Sequence, residues 1–333
     1  MTTTPANFFD MPEPDVKRGE GGSPMLIPRG LEVSGTRAAY TRASYMADQI
    51  EEKSHIHKWE MRYLAKAMGQ NEDLAALAAC EVYSTGVSDA VFGREKTASG
   101  RRLDEIIERA LDRVRIHEKA DRGTAVHGFT EPGAPDGDAI PERMRAAVAS
   151  FWEINRKECI EILGTEVFTA NDITMSAGTF DHAVRVHGHP LLHGIVVADK
   201  KTGSFDPLSW CVQISTYANG EPYNTEDDSR PGWPGEVNKN WGLVWQIDVP
   251  AGTTKLWMID IALGWELAQI AATVRDAHKR TDIAAKYVAP KFQDRLDAIH
   301  TLEGLRILWE SVEGMSHAPA ARQAIEEKVR TLS

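Results

Sequence analysis

The sequence predicts a mixed α/β (α+β) protein, with a mixed central β-sheet flanked by helices and helical additions on its N- and C-terminal sides. Two observations carry this. Apolar residues recur at helical spacing up to about residue 163 and again from residue 265, whereas the stretch between is dominated by runs rich in Val, Ile, Thr and Phe on alternating faces. The resulting order, α-rich, β-β, α, β-β, α-rich, shows neither an internal repeat nor the alternation of a doubly wound sheet.

Residues 1–37 are rich in Gly, Pro, Ser and Thr without apolar periodicity, and read as a flexible arm outside the chemistry. From 40 to 86, Tyr45, Ile50, Trp59, Tyr63, Leu64, Met68, Leu74, Leu77 and Val82 follow helical spacing, with QNED near 70 as a break and new cap. LDEIIERALDRVRIHEK (103–119) is an amphipathic helix. GTAVHGFTE after Arg122 reads as a tight glycine turn opening a short helix, PGAPDGDAIP as a loop, and Glu142 to Leu163 as one long helix. Strands then begin at Glu166, with VFTANDITMSAGTFDHAVRV and GIVVADKK. LSWCVQISTYAN (208–219) is helical, residues 220–240 are a polar loop, and GLVWQIDVP and KLWMIDIA flank the turn Pro250-Ala251-Gly252. From Trp265 to Ser333 the pattern is helical.

Composition narrows the function. With 333 residues and 42% hydrophobic content the chain suits one large domain with appendages, not a disordered or fibrous protein. Against 38 Lys+Arg stand 49 Asp+Glu, and the net charge of -11 excludes nonspecific coating of nucleic acid while leaving room for a local basic groove. Cys80, Cys159 and Cys211 are too few and too scattered for a disulfide framework or a four-cysteine metal site, which fits a reducing cytoplasm. No signal-peptide pattern and no apolar stretch of membrane-spanning length occurs, so the expectation is a cytoplasmic protein with no membrane contact. Walker A, GxGxxG, GxSxG and HExxH sequences are lacking, which leaves nucleotide motors, dinucleotide enzymes, serine hydrolases and zincins without local support.

The sharpest local feature is Asp199-Lys200-Lys201-Thr202-Gly203 after the apolar run GIVVA. Residues two apart on a strand share a face, so Asp199 and Lys201 project together. Asp181 ends GTFD 18 residues earlier (199 − 181), a separation that a hairpin turning around residues 187–190 spans, and the two carboxylates can converge. Carboxylate oxygens suit hard divalent cations, and a neighbouring lysine can hold a water for attack on phosphorus. Taken alone, Asp-x-Lys at a strand end is more often a surface ion pair before a turn. His127 and Glu131 are four apart, as are Gln213 and Tyr217, so each pair would share a helix face; alone, the first is more often capping or packing and the second ordinary amphipathic helix.

In this order, GTAVH, GTFD, DKKTG and QISTY resemble the motifs of the RecB-like branch of the PD-(D/E)XK nuclease superfamily. YTRASYMADQIEEKSHIHKWEMRYLAKAMG and IDVPAG with LWMIDIALGWELA are further similar to the CRISPR-associated-type RecB-like exonucleases of tailed actinobacteriophages. The resemblance spans about residues 38–280, with a helical part over 38–163 and a catalytic sheet of restriction-endonuclease-like core over 164–264; 281–333 would be a C-terminal helical extension. It implies a Mg²⁺- or Mn²⁺-dependent deoxyribonuclease, an exonuclease of phage DNA replication, recombination or processing. Its implied partners are single-stranded DNA or duplex ends, with phage or host recombination proteins beside them, in the host cytoplasm. It further implies that His127, Asp181, Asp199 and the backbone carbonyl of Lys200 hold the metal, that Lys201 is the catalytic lysine, and that Glu131, Glu166, Gln213 and Tyr217 are auxiliary. Lys200 takes a place usually held by a bulky apolar residue, which implies an exposed edge or an altered strand. Many relatives carry an iron–sulfur cluster with cysteines near the C-terminus; no Cys follows Cys211, so no cluster is expected. The rival reading is a catalytically silent DNA-binding or assembly protein on the same fold.

Two surface features are candidates for holding DNA. Residues 273–296 carry six Lys/Arg and three Asp, with Arg275, Lys279, Arg280 and Lys286 foremost. Trp233 and Trp241, in or beside the polar loop, could stack on bases. The commoner meaning of such features is a solvated helix and core aromatics. His182, His187, His189 and His193 fit no tight zinc spacing.

Overall fold

The Val- and Ile-rich middle of the chain forms the expected sheet. The computed structural model describes residues 15–19, 22–84, 98–114, 118–286, 290–313 and 318–332. Short strands β1 (Met25–Leu26), β2 (Ala38–Ala39) and β3 (Thr41–Arg42) precede helices α1 (Ser54–Gln70), α2 (Glu72–Ser84), α3 (Ala98–Arg113), α4 (Glu118–Phe129) and α5 (Glu142–Lys157). Strands β4 (Ile160–Asn171), β5 (Ser176–Val186) and β6 (Val196–Lys201) then lead to α6 (Pro207–Ala218), β7 (Glu221–Pro222), β8 (Trp241–Asp248), β9 (Thr253–Asp260) and α7 (Ile261–His278). The main sheet is mixed and seven-stranded, in the order β7-β4-β5-β6-β8-β9 with β3 added beside β5. β3 runs parallel to β5 and β6 parallel to β8, while the other pairs are antiparallel. This is the α+β architecture that the sequence predicts.

Both faces of the sheet are covered. Trp210, Ile214 and Tyr217 of α6 pack on Leu163, Val167, Phe180, Ala183, Val197 and Val244. On the other face Met144, Ala147, Val148 and Phe151 of α5 meet Val184, Val196, Ala198, Leu243 and Trp245. Helix α6 starts where Pro207 pre-sets the first helical turn and the Asp206 side chain accepts the Ser209 N–H at 3.2 Å.

The central strand β5 changes neighbours along its length. Ser176 and Ala177 pair with β3, whereas His182 to Val184 pair with β6, so Gly178 to Asp181 pair with neither on that side. A fork therefore opens in the middle of the sheet.

Several expectations need correction. The long helix expected to reach Leu163 ends at Lys157; Cys159 takes a left-handed φ of 52°, and β4 starts at Ile160. The expected flexible arm, described from residue 15, is strapped down: Val16 packs beside Leu26, and the Met25 N–H donates to Lys17 O at 2.8 Å. Leu26 and Tyr40 are buried with Phe168, Ala177 and Tyr223, and Arg37 donates to Met25 O at 2.9 Å and to Asp228 at 2.5 Å. Gly123 lies inside α4 and opens no turn. Parts of the segments 40–86 and 103–119 fall outside the described residues.

The chain divides into two compact units, residues 1–278 and 279–333. In the second, residues 279–286 are not helical, and α8 (Phe292–Ala298), α9 (Leu302–Ser311) and α10 (Ala318–Leu332) enclose their own core of Leu296, Leu305, Leu308, Val312, Ala321 and Ile325. No helix among the described residues is long and apolar enough to cross a membrane.

Helices α6 and α7 meet at Gly264, where a Cβ would strike Ser215 Oγ and the Cys211 carbonyl group, whose carbon would be 2.8 Å away. Gly264→Ala is therefore expected to destabilise the first unit by about 1–3 kcal/mol through overpacking, measured as a lower urea midpoint. An unchanged midpoint would show that the helices can part without cost.

Candidate functional site

Sheet register sets three carboxylates abreast on three adjacent strands. The pairs Thr165↔His182 and Val167↔Phe180 put Glu166 of β4 opposite Asp181 of β5. Continuing the pair His182↔Ala198 by one step puts Asp181 opposite Asp199 of β6. The ladder is interrupted at this row: Glu166 has a left-handed φ of 51°. On β5, Ala183 and Phe180 are three apart yet join the same core, so the alternation of faces skips one position between them, beside Asp181. That skip lets Phe180 keep its place in the core beside an acidic neighbour.

Asp181 and Asp199 are both buried. Asp181 Oδ2 accepts the Lys200 backbone N–H at 2.5 Å, and its Oδ1 lies 3.4 Å from Nδ1 of His127 in the last turn of α4. Burial by itself would raise the Asp181 carboxyl, but the hydrogen bond and charge of His127, with the charge of Lys200, hold it well below the usual carboxylate range. Burial pushes Asp199 up, with Lys201 opposing the shift. Glu166 is exposed as a residue, yet partial burial of its carboxyl and then the charges of Asp181 and Glu131 push it up to about 7.

Lys201 Nζ sits 2.7 Å from Asp199 Oδ2 and donates to Gln213 Oε1 at 2.7 Å; Gln213 Nε2 donates in turn to the Tyr217 hydroxyl at 2.9 Å. Gln213 and Tyr217 do share a face of α6, as their spacing predicts. Burial raises Tyr217 far above the ordinary phenol range, so its hydroxyl keeps its proton. Two glycines give this chain its space. A Cβ on Gly178 would lie 3.1 Å from the Tyr217 ring, and one on Gly123 would run into the side chain of Thr202 in the DKKTG segment.

Glu131 and Lys200 depart from expectation. Glu131 lies beyond the end of α4, so it shares no helix face with His127; it ion-pairs instead with Lys200. Lys200 is no edge residue: it is 1% exposed. Burial raises Glu131, and Lys200 opposes that shift.

No three His, Cys, Asp or Glu side chains among the described residues already stand as a metal cage. The donor set is nevertheless the oxygen-rich kind that hard divalent cations take, with one imidazole. Asp199 Oδ2 is buried, with the Lys201 ammonium group 2.7 Å away as its partner. In donor chemistry, Asp181, Asp199 and His127 are of the kind that such a cation takes.

The fork holds residues that sequence reasoning missed. A cavity of about 260 Å³ is lined by Arg18, Arg42, Ser44, Thr179, Gln213 and Tyr217 among others. Arg18 donates to Gly22 O, and Arg42 to the Tyr45 hydroxyl at 3.3 Å; neither meets a carboxylate among the described residues. Isolated arginines in a polar segment carry no periodic or motif signal, so only folding reveals them.

The expected DNA-holding residues fare differently. Arg275 is not available to a phosphate: it is buried, paired with Asp276 at 2.9 Å, and donates to Thr174 O and Thr41 Oγ1, tying β3 to the β4–β5 turn. Trp233 donates its indole N–H to Gly220 O and stacks on Phe180, and Trp241 packs on the α5 core, so both rings are engaged in packing. Lys279, Arg280 and Lys286 are exposed residues of the second unit, Arg280 pairing with Asp282. Three of the clustered histidines part company: His182 is buried, His187 meets Glu161, and His189 Nδ1 accepts the N–H groups of Leu191 and Leu192, both at 3.2 Å.

No protein-family model matches the chain, and no curated protein matches it by sequence.

The Glu166 shift has a pH consequence. Its folded value of about 7 lies above the ordinary 4.5, so its contribution to stability is fully present below about pH 4.5 and is lost as pH rises to about 7. Chemical denaturation of metal-free protein across that window is expected to show a shallower loss of stability for Glu166→Gln than for the unsubstituted chain. Identical slopes would place the perturbed titration on another group.

Proposed function

We propose that the chain is a divalent-metal-dependent deoxyribonuclease that hydrolyses phosphodiester bonds, an exonuclease serving phage DNA replication, recombination or processing. The observation that carries the reading is the meeting of Asp181, Asp199, Lys201, Gln213 and His127, from four separate segments, beside a cavity lined by two arginines. Acidic residues with one organised lysine suit attack of water on a phosphodiester, and the arginines suit the backbone that carries it.

Glu166, Asp181, Asp199 and His127 would hold Mg²⁺ or Mn²⁺, with the Lys200 carbonyl as a further oxygen donor. When bound, the ion supplies Lewis-acid stabilisation of charge on the phosphoryl oxygens. Lys201 orients the attacking water or takes its proton, and Gln213 Oε1 fixes the direction of the amine. Tyr217 holds Gln213 in turn, and being protonated it brings no further negative charge to a polyanion. In an acidic chain the backbone needs a local cationic seat, which Arg18 and Arg42 provide at the fork.

The deciding experiment is digestion of labelled single- and double-stranded DNA with Mg²⁺, Mn²⁺ or EDTA, run beside variants. Lys201→Ala is expected to lower cleavage by about 10²- to 10⁴-fold, and Asp199→Asn to abolish it while DNA binding persists. Metal-independent cleavage, or wild-type rates in either variant, would end this reading; tight binding without any cleavage by the unsubstituted protein would favour a silent binding protein.

Arg42→Gln is expected to weaken DNA binding and to lower the slope of log affinity against log salt by about one. An unchanged slope would remove the fork cavity from the DNA path.

A further inference from the structure

A lysine inside a sheet must serve some purpose other than solubility. The Lys200 side chain is 0% exposed, and strand alternation directs it away from Asp199 and Lys201, toward the face that α5 covers. Its ammonium group meets the Glu131 carboxylate and lies 3.4 Å from the carbonyl oxygen of His127, while its backbone N–H donates to Asp181 Oδ2 at 2.5 Å. One residue thus touches the backbone of His127, the side chain of Asp181 and the loop that follows α4.

Stability alone gives no reason for this arrangement. A buried ion pair loses hydration on both partners, and a well-packed apolar pair of similar volume is generally as stable or more so. On one side its surroundings are already apolar: Trp245 lies against His182, which is 3.9 Å from Glu131, with Phe151 beyond. The end of α4 has few apolar anchors of its own, Val126 being buried there while Ala125 and Phe129 are only partly so. What an apolar pair could not supply is direction, namely a charge-assisted hydrogen bond that sets the height and rotation of the helix end against β6.

We propose that Lys200 and Glu131 are a positioning pair that locks the His127-bearing end of α4 to β6 and so presets the distance between His127 and the Asp181–Asp199 row. The inference rests on the metal-site reading above. Neither residue is required to touch the metal or the substrate through its side chain; each acts through the placement of the residues that do. Groups that orient metal ligands from behind commonly matter to affinity almost as much as the ligands.

The test is the paired apolar variant Lys200→Met/Glu131→Leu in the full chain, measured three ways. Thermal unfolding of the metal-free protein is expected at or above the unsubstituted temperature. Mn²⁺ affinity, titrated by electron paramagnetic resonance, is expected to fall by about 10- to 100-fold. Amide exchange of residues 125–131 in the metal-free protein is expected to quicken while exchange in β5 and α6 stays unchanged. A purely structural pair would instead lower the unfolding temperature and leave the affinity of the folded fraction intact. Unchanged Mn²⁺ affinity together with unchanged exchange at 125–131 would overturn the proposal. Should the paired variant fail to fold, Glu131→Gln, which keeps shape and acceptor while removing the charge, is expected to move affinity and exchange in the same directions, and its failure to do so would overturn the proposal equally. If the unsubstituted protein binds no Mn²⁺, the metal-site reading fails by itself, and exchange at residues 125–131 alone decides whether the pair locks the helix end.

Discussion

The structure around the candidate site depends on one constraint: β5 cannot keep the same neighbour along its whole length. β3 occupies its edge at Ser176 and Ala177, and β6 occupies it from His182 on. The four residues between are left without a strand on that side, and backbone groups in that position need partners of another kind. Asp181 stands at the end of this gap and spans it with its own carboxylate, which takes the Lys200 N–H. The gap also lets the Tyr217 ring approach Gly178 and leaves room for the arginine-lined cavity. Acid, amide, phenol and arginine are neighbours because a ladder stops there.

Charge is the second theme. Three carboxylates abreast repel one another, and burial sharpens the repulsion because little water remains to screen it. The shifts record the outcome: Asp181 wins the nearby cations and stays ionised, whereas Asp199 and Glu166 are pushed up. Such divergence between adjacent acids is common where a fold holds groups apart for chemistry, and also where a cation is to be received. Lys201 and Lys200 answer the acids from opposite faces of one strand, which two successive lysines can do because side chains alternate.

The N-terminal segment shows how a polar stretch without periodicity can still be ordered. Its order comes from elsewhere in the chain: Tyr223, Asp228, Asp172 and Arg230 supply the hydrogen bonds, and Phe168 and Ala177 the apolar seat. Arg18 and Arg42 reach the fork only because of that strap. A segment that contributes little apolar area of its own can be held when a preformed sheet offers both kinds of contact.

The amino-acid order by itself determined what is periodic or local. Alternation in VFTANDITMSAGTFDHAVRV and GIVVADKK, together with helical spacing in LSWCVQISTYAN, was enough for the α+β class, for Asp199 beside Lys201 and for Gln213 beside Tyr217, since those neighbours lie two or four residues apart on regular elements. Tertiary structure decided everything that spans elements. The end of α5 at Lys157 hinges on a left-handed Cys159, a backbone choice with no apolar signature. The burial of Lys200 follows from Glu131 arriving 69 residues away in sequence, and that of Arg275 from carbonyls 100 and 101 residues away. Trp233 and Trp241 were legible as aromatics in or beside a loop but not as packed ones, because partners such as Phe180 belong to another strand. Periodicity tells which face a residue takes on its own element, and only the assembled sheet tells what stands opposite that face.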